Sequence, residues 1–295
     1  MPNCMSANCS KRNSAPCSIV GMAADVTNSL DRALALLKLL EQHPGGLRNA
    51  DLSRALTMPK STCTYITQRL EREGFLTRDS SARYRLGLAT VALAHGALRE
   101  LGIRSVAEPA LYRLTEATGL SAGIGVLERG QVLLVDRVEG PRFISEAVHQ
   151  AETASKRAGR YRQREQRDIG RELPAHTTSL GKVLLAHLDA AEAREILTLH
   201  GMRRNTARTI VSVEQLLGQL AEIRRAGYAL ADEEDVSGLR ALSVPILEGA
   251  DTVRAAVSVN GPPGEPAWLD LPRLVRLVQT AARDIGRRAR VKPRL

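Results

Sequence analysis

The sequence predicts an α+β protein: an N-terminal winged helix-turn-helix over residues 27–88, a linker helix over 89–104 and a C-terminal α/β domain over 105–290. Three observations predict it. The stretch LRNADLSRALTMPKSTCTYITQRLEREGFLTRDSSARYRL, Leu47 to Leu86, reads as a short helix, a tight turn, a second helix and a two-stranded hairpin. An alanine-rich, weakly polar helical segment follows it. From Gly119 the texture changes to β-rich runs and amphipathic helices, which predicts strands with helices on one face.

Residues 1–26 are Ser-, Asn- and Ala-rich with little periodicity, so a disordered tail is expected, and Met5 or Met22 is a candidate start. Asn28 or Ser29 caps a first helix with a Leu30, Ala33, Leu34, Leu37, Leu40 stripe. His43-Pro44-Gly45-Gly46 ends it. Leu47, Leu52, Ala55 and Leu56 form the apolar face of the second helix. Thr57-Met58-Pro59 is the turn, with Pro59 suited to the opening turn of the third helix. From Lys60 to Glu73, Cys63, Ile66 and Leu70 fall on one side, and Ser61, Thr62, Tyr65, Arg69 and Arg72 on the other. Gly74 is the stop. Phe75–Arg78 and Ala82–Leu86 alternate like strands around Asp79-Ser80-Ser81.

Leu86–Leu101 is the linker helix, of a kind that packs on another subunit. Val106–Ala117 is a helix with Leu111 and Leu114 inward. Ser121–Leu127, Gln131–Val138 and Phe143–Val148 read as strands. Residues 149–170 are polar, basic and without an apolar stripe, so they read as an insertion. Thr177 or Thr178 caps a helix running to His187. Ala190–Leu199 and Val213–Ala226 are amphipathic helices. Tyr228–Ala231, Leu239–Leu247 and Thr252–Asn260 are strands, Gly261–Pro266 is a loop and Leu271–Arg288 is the last helix.

A helix whose outer face carries hydroxyls, a tyrosine and arginines can donate to phosphates and base edges together. Lys60, Ser61, Thr62, Tyr65 and Arg69 are therefore expected in the major groove. Arg83 on the wing, which also carries Arg78 and Arg85, is expected against the backbone of double-stranded DNA. The net charge of +10 and pI of about 9.9 agree with a polyanionic partner. Residues 155–167 and 283–295 carry a net +5 each, against +4 for residues 27–88. A protein that binds nucleic acid without sequence preference, led by those two segments, is thus an alternative reading.

In the C-terminal part, Thr178-Ser179-Leu180-Gly181 opens a helix whose free amides favour an anion such as a carboxylate. Ser258 and Asn260 share one side of a strand and add hydrogen bonds. Leu239 and Ala241 on a neighbouring strand form an apolar wall. Catalysis has little support. Gly119-Leu120-Ser121-Ala122-Gly123 matches GxSxG, but a helix precedes it and a strand follows, the reverse of the context that motif needs. His176 and His187 do not share a helical face, no GxxxxGK[ST] occurs, and Asp232-Glu233-Glu234-Asp235 reads as a solvated turn. An enzyme with an accessory helical domain is accordingly the weakest alternative. Cys4, Cys9, Cys17 and Cys63 make neither a disulfide framework nor a CxxC metal site, so no metal or cofactor is expected. No secretory signal or membrane-length apolar run is present, and a cytoplasmic chain is expected.

The markers SLDRALALLKLLEQHPGGL, MPKSTCTYITQRLEREGFL, ARYRLG, LPAHTTSLGKVLLA, GYALADEED…GLRALSVPI and VRAAVSVNGP, in this order, resemble the IclR family of bacterial transcription regulators over about residues 28–290, apart from the insertion. The resemblance implies homodimers or homotetramers on palindromic operators. It also implies a GAF-like C-terminal domain that binds a small effector, commonly a carboxylate, at positions matching Thr178, Ser179, Leu180, Leu239, Ala241, Ser258 and Asn260. The sequence departs from that family where it has Ala241 for a frequent cysteine, Ala231 for an acidic residue and Asn260 for a common serine. Arg48 replaces the usual Ser/Thr cap of the second helix, with Asn49 as a substitute one residue on.

Overall fold

The computed structural model describes residues 28–141, 169–248 and 252–291, without the side chains of 254, 290 and 291. The expected tail over 1–26, the Phe143–Val148 strand, the insertion up to residue 168 and the last four residues of the 283–295 basic segment lie outside the described residues. The chain falls into two compact units that divide between Gly96 and Ala97.

In the first unit α1 (Ser29–Glu41) is capped by Asn28, whose Oδ1 accepts from the amides of Leu30 and Asp31 at 2.9 Å. Its buried face is Ala35, Leu36, Leu39 and Leu40, whereas Leu30 and Leu34 are 67% and 50% exposed. Of the expected stripe, Leu40 is buried and Ala33 and Leu37 pack against the core, while Leu30 and Leu34 stay outside it. The core of Leu52, Met58, Cys63, Ile66, Leu76 and Tyr84 draws in Leu36 and Leu39 beside them. Leu47 is not helical: β1 (Leu47–Arg48) pairs with the wing before α2 (Asn49–Ala55) begins. Ala55 is exposed rather than part of an apolar face. The Arg48 amide donates to Asp51 at 3.4 Å, and the Asn49 side chain bonds Thr64 instead of capping.

Helix α3 (Lys60–Arg72) follows with Pro59 as its N-cap residue rather than in its first turn. Gly74, at φ +74°, closes it: its amide donates to Glu71, and the Phe75 amide donates to Leu70 at 2.8 Å. Both bonds satisfy carbonyls that the helix end leaves open. β2 (Leu76–Arg78) and β3 (Arg83–Leu86) make the wing, in sheet order β1-β3-β2. Asp79 holds its turn by accepting from the Ser81 and Arg83 amides at 2.9 Å each.

α4 (Ala89–Leu101) starts three residues later than expected because Leu86 belongs to β3. None of its residues is buried, and Val91 and Leu93 are more than 60% exposed.

The second unit is organised on a six-stranded sheet. Its members are β4 (Ser121–Glu128), β5 (Gln131–Val138), β6 (Glu172–Leu173), β7 (Ala229–Asp232), β8 (Arg240–Glu248) and β9 (Thr252–Gly261), in the order β6-β5-β4-β9-β8-β7. All five ladders between neighbours are antiparallel. Helices cover both faces, not one. α5 (Ile103–Thr118) and α9 (Leu271–Val291) pack with Ile124, Val257 and Val259 into one core. α6 (Ser179–Leu185), α7 (Ala190–His200) and α8 (Val213–Ala226) form a second core on the opposite face with Val132, Leu134 and Ala256. The near-continuous run Ala255–Val259 is buried throughout, so neither face of β9 can be left to water.

Arg240 Nε donates to Asp232 at 2.7 Å, Arg208 pairs with the other oxygen, and together they hold the Asp232 carboxyl below the ordinary range. A depressed folded pKa contributes stability that is present above the unfolded value of about 3.9 and is lost as pH falls through the folded one. The stability difference between the parent chain and Asp232→Asn, followed by urea unfolding, should therefore shrink on acidification below about pH 4. A difference independent of pH would contradict this pairing.

Candidate nucleic-acid interface and ligand cavity

On α3 the two faces separate as the sequence predicts. Cys63, Ile66 and Thr67 are buried, while Lys60, Ser61, Tyr65 and Arg69 are exposed and Thr62 is half-buried. Burial pushes the Cys63 thiol pKa up, as suits an apolar core position. The Arg69 guanidinium sits 5.9 Å from the Tyr65 ring centroid, so these two side chains project as a stacked pair. Arg83 is half-buried, and its Nη1 donates to the Gly46 carbonyl at 3.1 Å, tying the wing to the turn after α1. Arg85 pairs with Asp79, and Arg78 lies over Tyr84.

In the second unit a cavity of about 230 Å³ opens between α6 and the sheet. All seven sequence-predicted ligand residues line it: Thr178, Ser179, Leu180, Leu239, Ala241, Ser258 and Asn260. The register explains the convergence. Ala231, Ala241 and Asn260 stand opposite one another across β7, β8 and β9, and Ser243, Ser258 and Gly123 do so one row on. Every residue in these two rows is small apart from Asn260, so the sheet leaves room beneath α6. A neighbouring depression of about 290 Å³ contains none of the predicted residues.

The chemistry of the cavity differs from expectation at the helix end. α6 has seven residues and stops at Leu185, short of His187. The Thr178 hydroxyl accepts from the Gly181 amide at 3.2 Å and donates to the Pro174 carbonyl, and Ser179 Oγ bonds Ser243 Oγ at 2.7 Å. The helix start is thus capped by its own side chain, which weakens it as an anion site.

Sequence reasoning missed Arg137 on β5, Arg171 before β6, and Thr177, all of which line the cavity. It also misread the acidic cluster. Glu234 is buried and pairs through both carboxylate oxygens with Lys182, which is fully buried on α6. Asp235 accepts from Thr177 Oγ1 and Asn205 Nδ2 at 2.8 Å each. Asp232 and Glu233 carry the ion pairs with Arg208, so the turn is a built structure, not a solvated one. Its only early signal was the lysine inside the otherwise apolar run LGKVLLA.

α6 also approaches the preceding loop closely at Gly181. A Cβ there would lie 2.3 Å from both Cα and O of Ala175. Backbone cannot yield as a flexible side chain does, so Gly181→Ala should cost roughly 2–3 kcal/mol in urea unfolding. An unchanged midpoint would refute the close approach.

Ser121 follows α5 and begins β4, and its Oγ accepts from the Gly140 amide at 3.0 Å. The GxSxG match therefore lacks a nucleophile's setting. His176 and His187 each bond a backbone carbonyl.

Residues 95–287 match the family model "Bacterial transcriptional regulator IclR C-terminal", and residues 29–80 match the "IclR helix-turn-helix domain". The chain belongs to the IclR family. As an IclR-family member it is a DNA-binding transcriptional regulator that responds to a small molecule. It is 30% identical to the regulator XynR of Escherichia coli K12 over 236 residues, covering 80% of this chain and 86% of XynR. It is 28% identical to the regulator KdgR of the same organism over 264 residues, covering 89% and 92%. These IclR relatives are regulators, not enzymes. An IclR homolog from Microbacterium hydrocarbonoxydans, solved with 4-hydroxybenzoate, superimposes with a TM-score of 0.72 at 25% identity, covering 90% of this chain and all of that one. The Thermotoga maritima IclR structure shares the fold, with a TM-score of 0.64 over 89% of this chain and 98% of its own.

Proposed function

We propose that this chain is a homo-oligomeric repressor or activator that reads a palindromic operator through α3 and is switched by a small carboxylate in the cavity beneath α6. One observation carries the ligand half: the seven residues named from the helix start, the strand pattern and the family resemblance line a single cavity. The exposed pair Tyr65 and Arg69, with Lys60, Ser61 and Thr62 beside it, supports the operator half. Arg83 steadies the wing on the phosphate backbone. The exposed apolar residues of α4 support self-association, and the helix runs unbroken across the boundary between the units. We read α4 as the element that carries the ligand signal to the reading heads. Among the described residues no helix is long and apolar enough to cross a membrane, which fits a cytoplasmic regulator.

Selection of random double-stranded DNA on the purified chain at physiological salt tests the reading, because salt sets the balance between specific and non-specific binding. A recurrent inverted repeat, released by a small acid, is the expected result. The 4-hydroxybenzoate found in the Microbacterium homolog is the first acid to try. Retention without any consensus would favour the non-specific alternative.

A further inference from the structure

The last helix carries a charge pattern that neither its packing nor operator reading through α3 requires. At roughly 100° per residue, Leu274, Val278, Ala281, Ala282 and Ile285 of α9 share one arc, and all are buried in the core with α5. Arg273, Arg276, Thr280, Arg283 and Arg287 share an arc of roughly 80° on the opposite side, and all are exposed. Between Arg273 and Arg287 the helix rises roughly 21 Å, so the stripe is long and points away from the core.

These arginines are not used inside the chain. Among the described residues the side chains of Arg273, Arg276 and Arg287 make no hydrogen bond or ion pair, and Arg283 reaches only the Thr280 hydroxyl at 3.4 Å. Asp284, the one acid on α9, is taken by Arg288 at 3.1 Å and by Arg113 of α5 at 2.8 Å. Glu108 and Glu116, exposed on α5, pair with none of the four. Asp270 accepts from the Arg273 amide at 2.9 Å but does not pair with its guanidinium. Placement adds a second argument. Arg287 stands toward the C-terminal end of α9, where the helix dipole favours cations, but Arg273 and Arg276 stand in the first two turns, where it opposes them. Helix stability alone does not put arginines there.

The stripe also limits its partner. A membrane-surface helix presents an apolar face beside its cations, and a protein interface has an apolar centre. The apolar side of α9 is spent on its own core, and the stripe itself holds no apolar residue. A phosphate backbone, with one charge for about every 1.7 Å of duplex axis, is a partner that arginines alone can hold. We infer that α9 is a second, sequence-independent DNA contact, its four arginines neutralising phosphates of the duplex that flanks the operator. The same chain carries α3, so an engaged reading helix holds the stripe at high effective concentration with respect to that DNA. This rests on the DNA-binding role of the chain and not on which residues of α3 read bases.

The test is fluorescence anisotropy of the full chain on the selected operator, bare or flanked on each side by about 30 base pairs of unrelated sequence, over a range of salt. The parent is compared with a variant combining Arg273→Gln, Arg276→Gln, Arg283→Gln and Arg287→Gln. At low salt the parent should bind the flanked duplex about tenfold or more tightly than the bare one. The glutamine variant should bind both alike, with the parent's affinity for the bare operator. On the flanked duplex its plot of log affinity against log salt should be shallower by about 0.9 for each phosphate released, up to about 3.6 for one helix. Lysine at the same four positions should keep the parent's slope, because a phosphate contact of this kind needs only the charge. Phosphates carry no sequence, so the glutamine variant should lose the same slope on a scrambled duplex of the flanked length. That arm tests α9 even where selection yields no operator, a result that would overturn only the operator reading. Circular dichroism and melting establish that the variants are folded. Equal slopes for parent and glutamine variant would overturn the inference, as they must if the stripe serves an acidic protein or an anionic lipid instead. An equal loss on bare and flanked operator would overturn it too, by assigning the arginines to the operator itself.

Discussion

Lys182→Met will lower the stability of the C-terminal unit by about 3–5 kcal/mol, the scale on which breaking one side of a buried ion pair destabilises a protein. Lys182 is fully buried and Glu234 is 7% exposed, so removing the ammonium strands a carboxylate where water cannot solvate it. The reverse change, Glu234→Gln, strands the ammonium. Burial already draws the Lys182 pKa below its ordinary value, with Glu234 acting against that pull. The pair itself need not add net stability, because desolvating two charges offsets much of their attraction. Lys182→Met combined with Glu234→Leu should accordingly recover most of what either single change loses. Urea unfolding of the three variants separates these statements. Equal stability of Lys182→Met and the parent would mean the pair is absent in solution.

The second large effect concerns the operator. Arg69→Ala and Tyr65→Ala should each weaken specific binding by about 1–3 kcal/mol, or roughly 5- to 150-fold, if each reaches a base edge. The two side chains stack on one another, so removing one leaves the other less well placed. The double variant should then lose less than the sum of the singles. Arg83→Ala provides a contrast: a phosphate contact weakens binding to all sequences alike and lowers the salt slope by about one unit. Fluorescence anisotropy on the selected operator and on a scrambled duplex, at several salt concentrations, distinguishes the two kinds of loss. Unchanged operator affinity in the Tyr65/Arg69 double variant would remove α3 from the reading role.

The sequence by itself determined the winged helix, because its information is local. Two faces at helical spacing on α3, a glycine stop at Gly74 and a wing closed by Asp79 are each decided within a few residues. It also picked out the seven residues that line the cavity, since strand alternation and a helix start are short-range patterns, and the resemblance pointed to the same positions. Only the tertiary structure decided what those patterns meet. Leu30 and Leu34 belong to a plausible helical stripe, yet the core selects Leu36, Leu39 and Leu40. Strands that read as half-exposed are covered on both faces by helices far apart in the chain. The Lys182–Glu234 pair spans 52 residues, and no local rule joins a lysine in an apolar helix to an acid in a turn. Arg137 is the sharpest case. Strict alternation assigns it to the wrong face, and one extra residue in β5, visible only through its pairing with β4, turns it into the cavity.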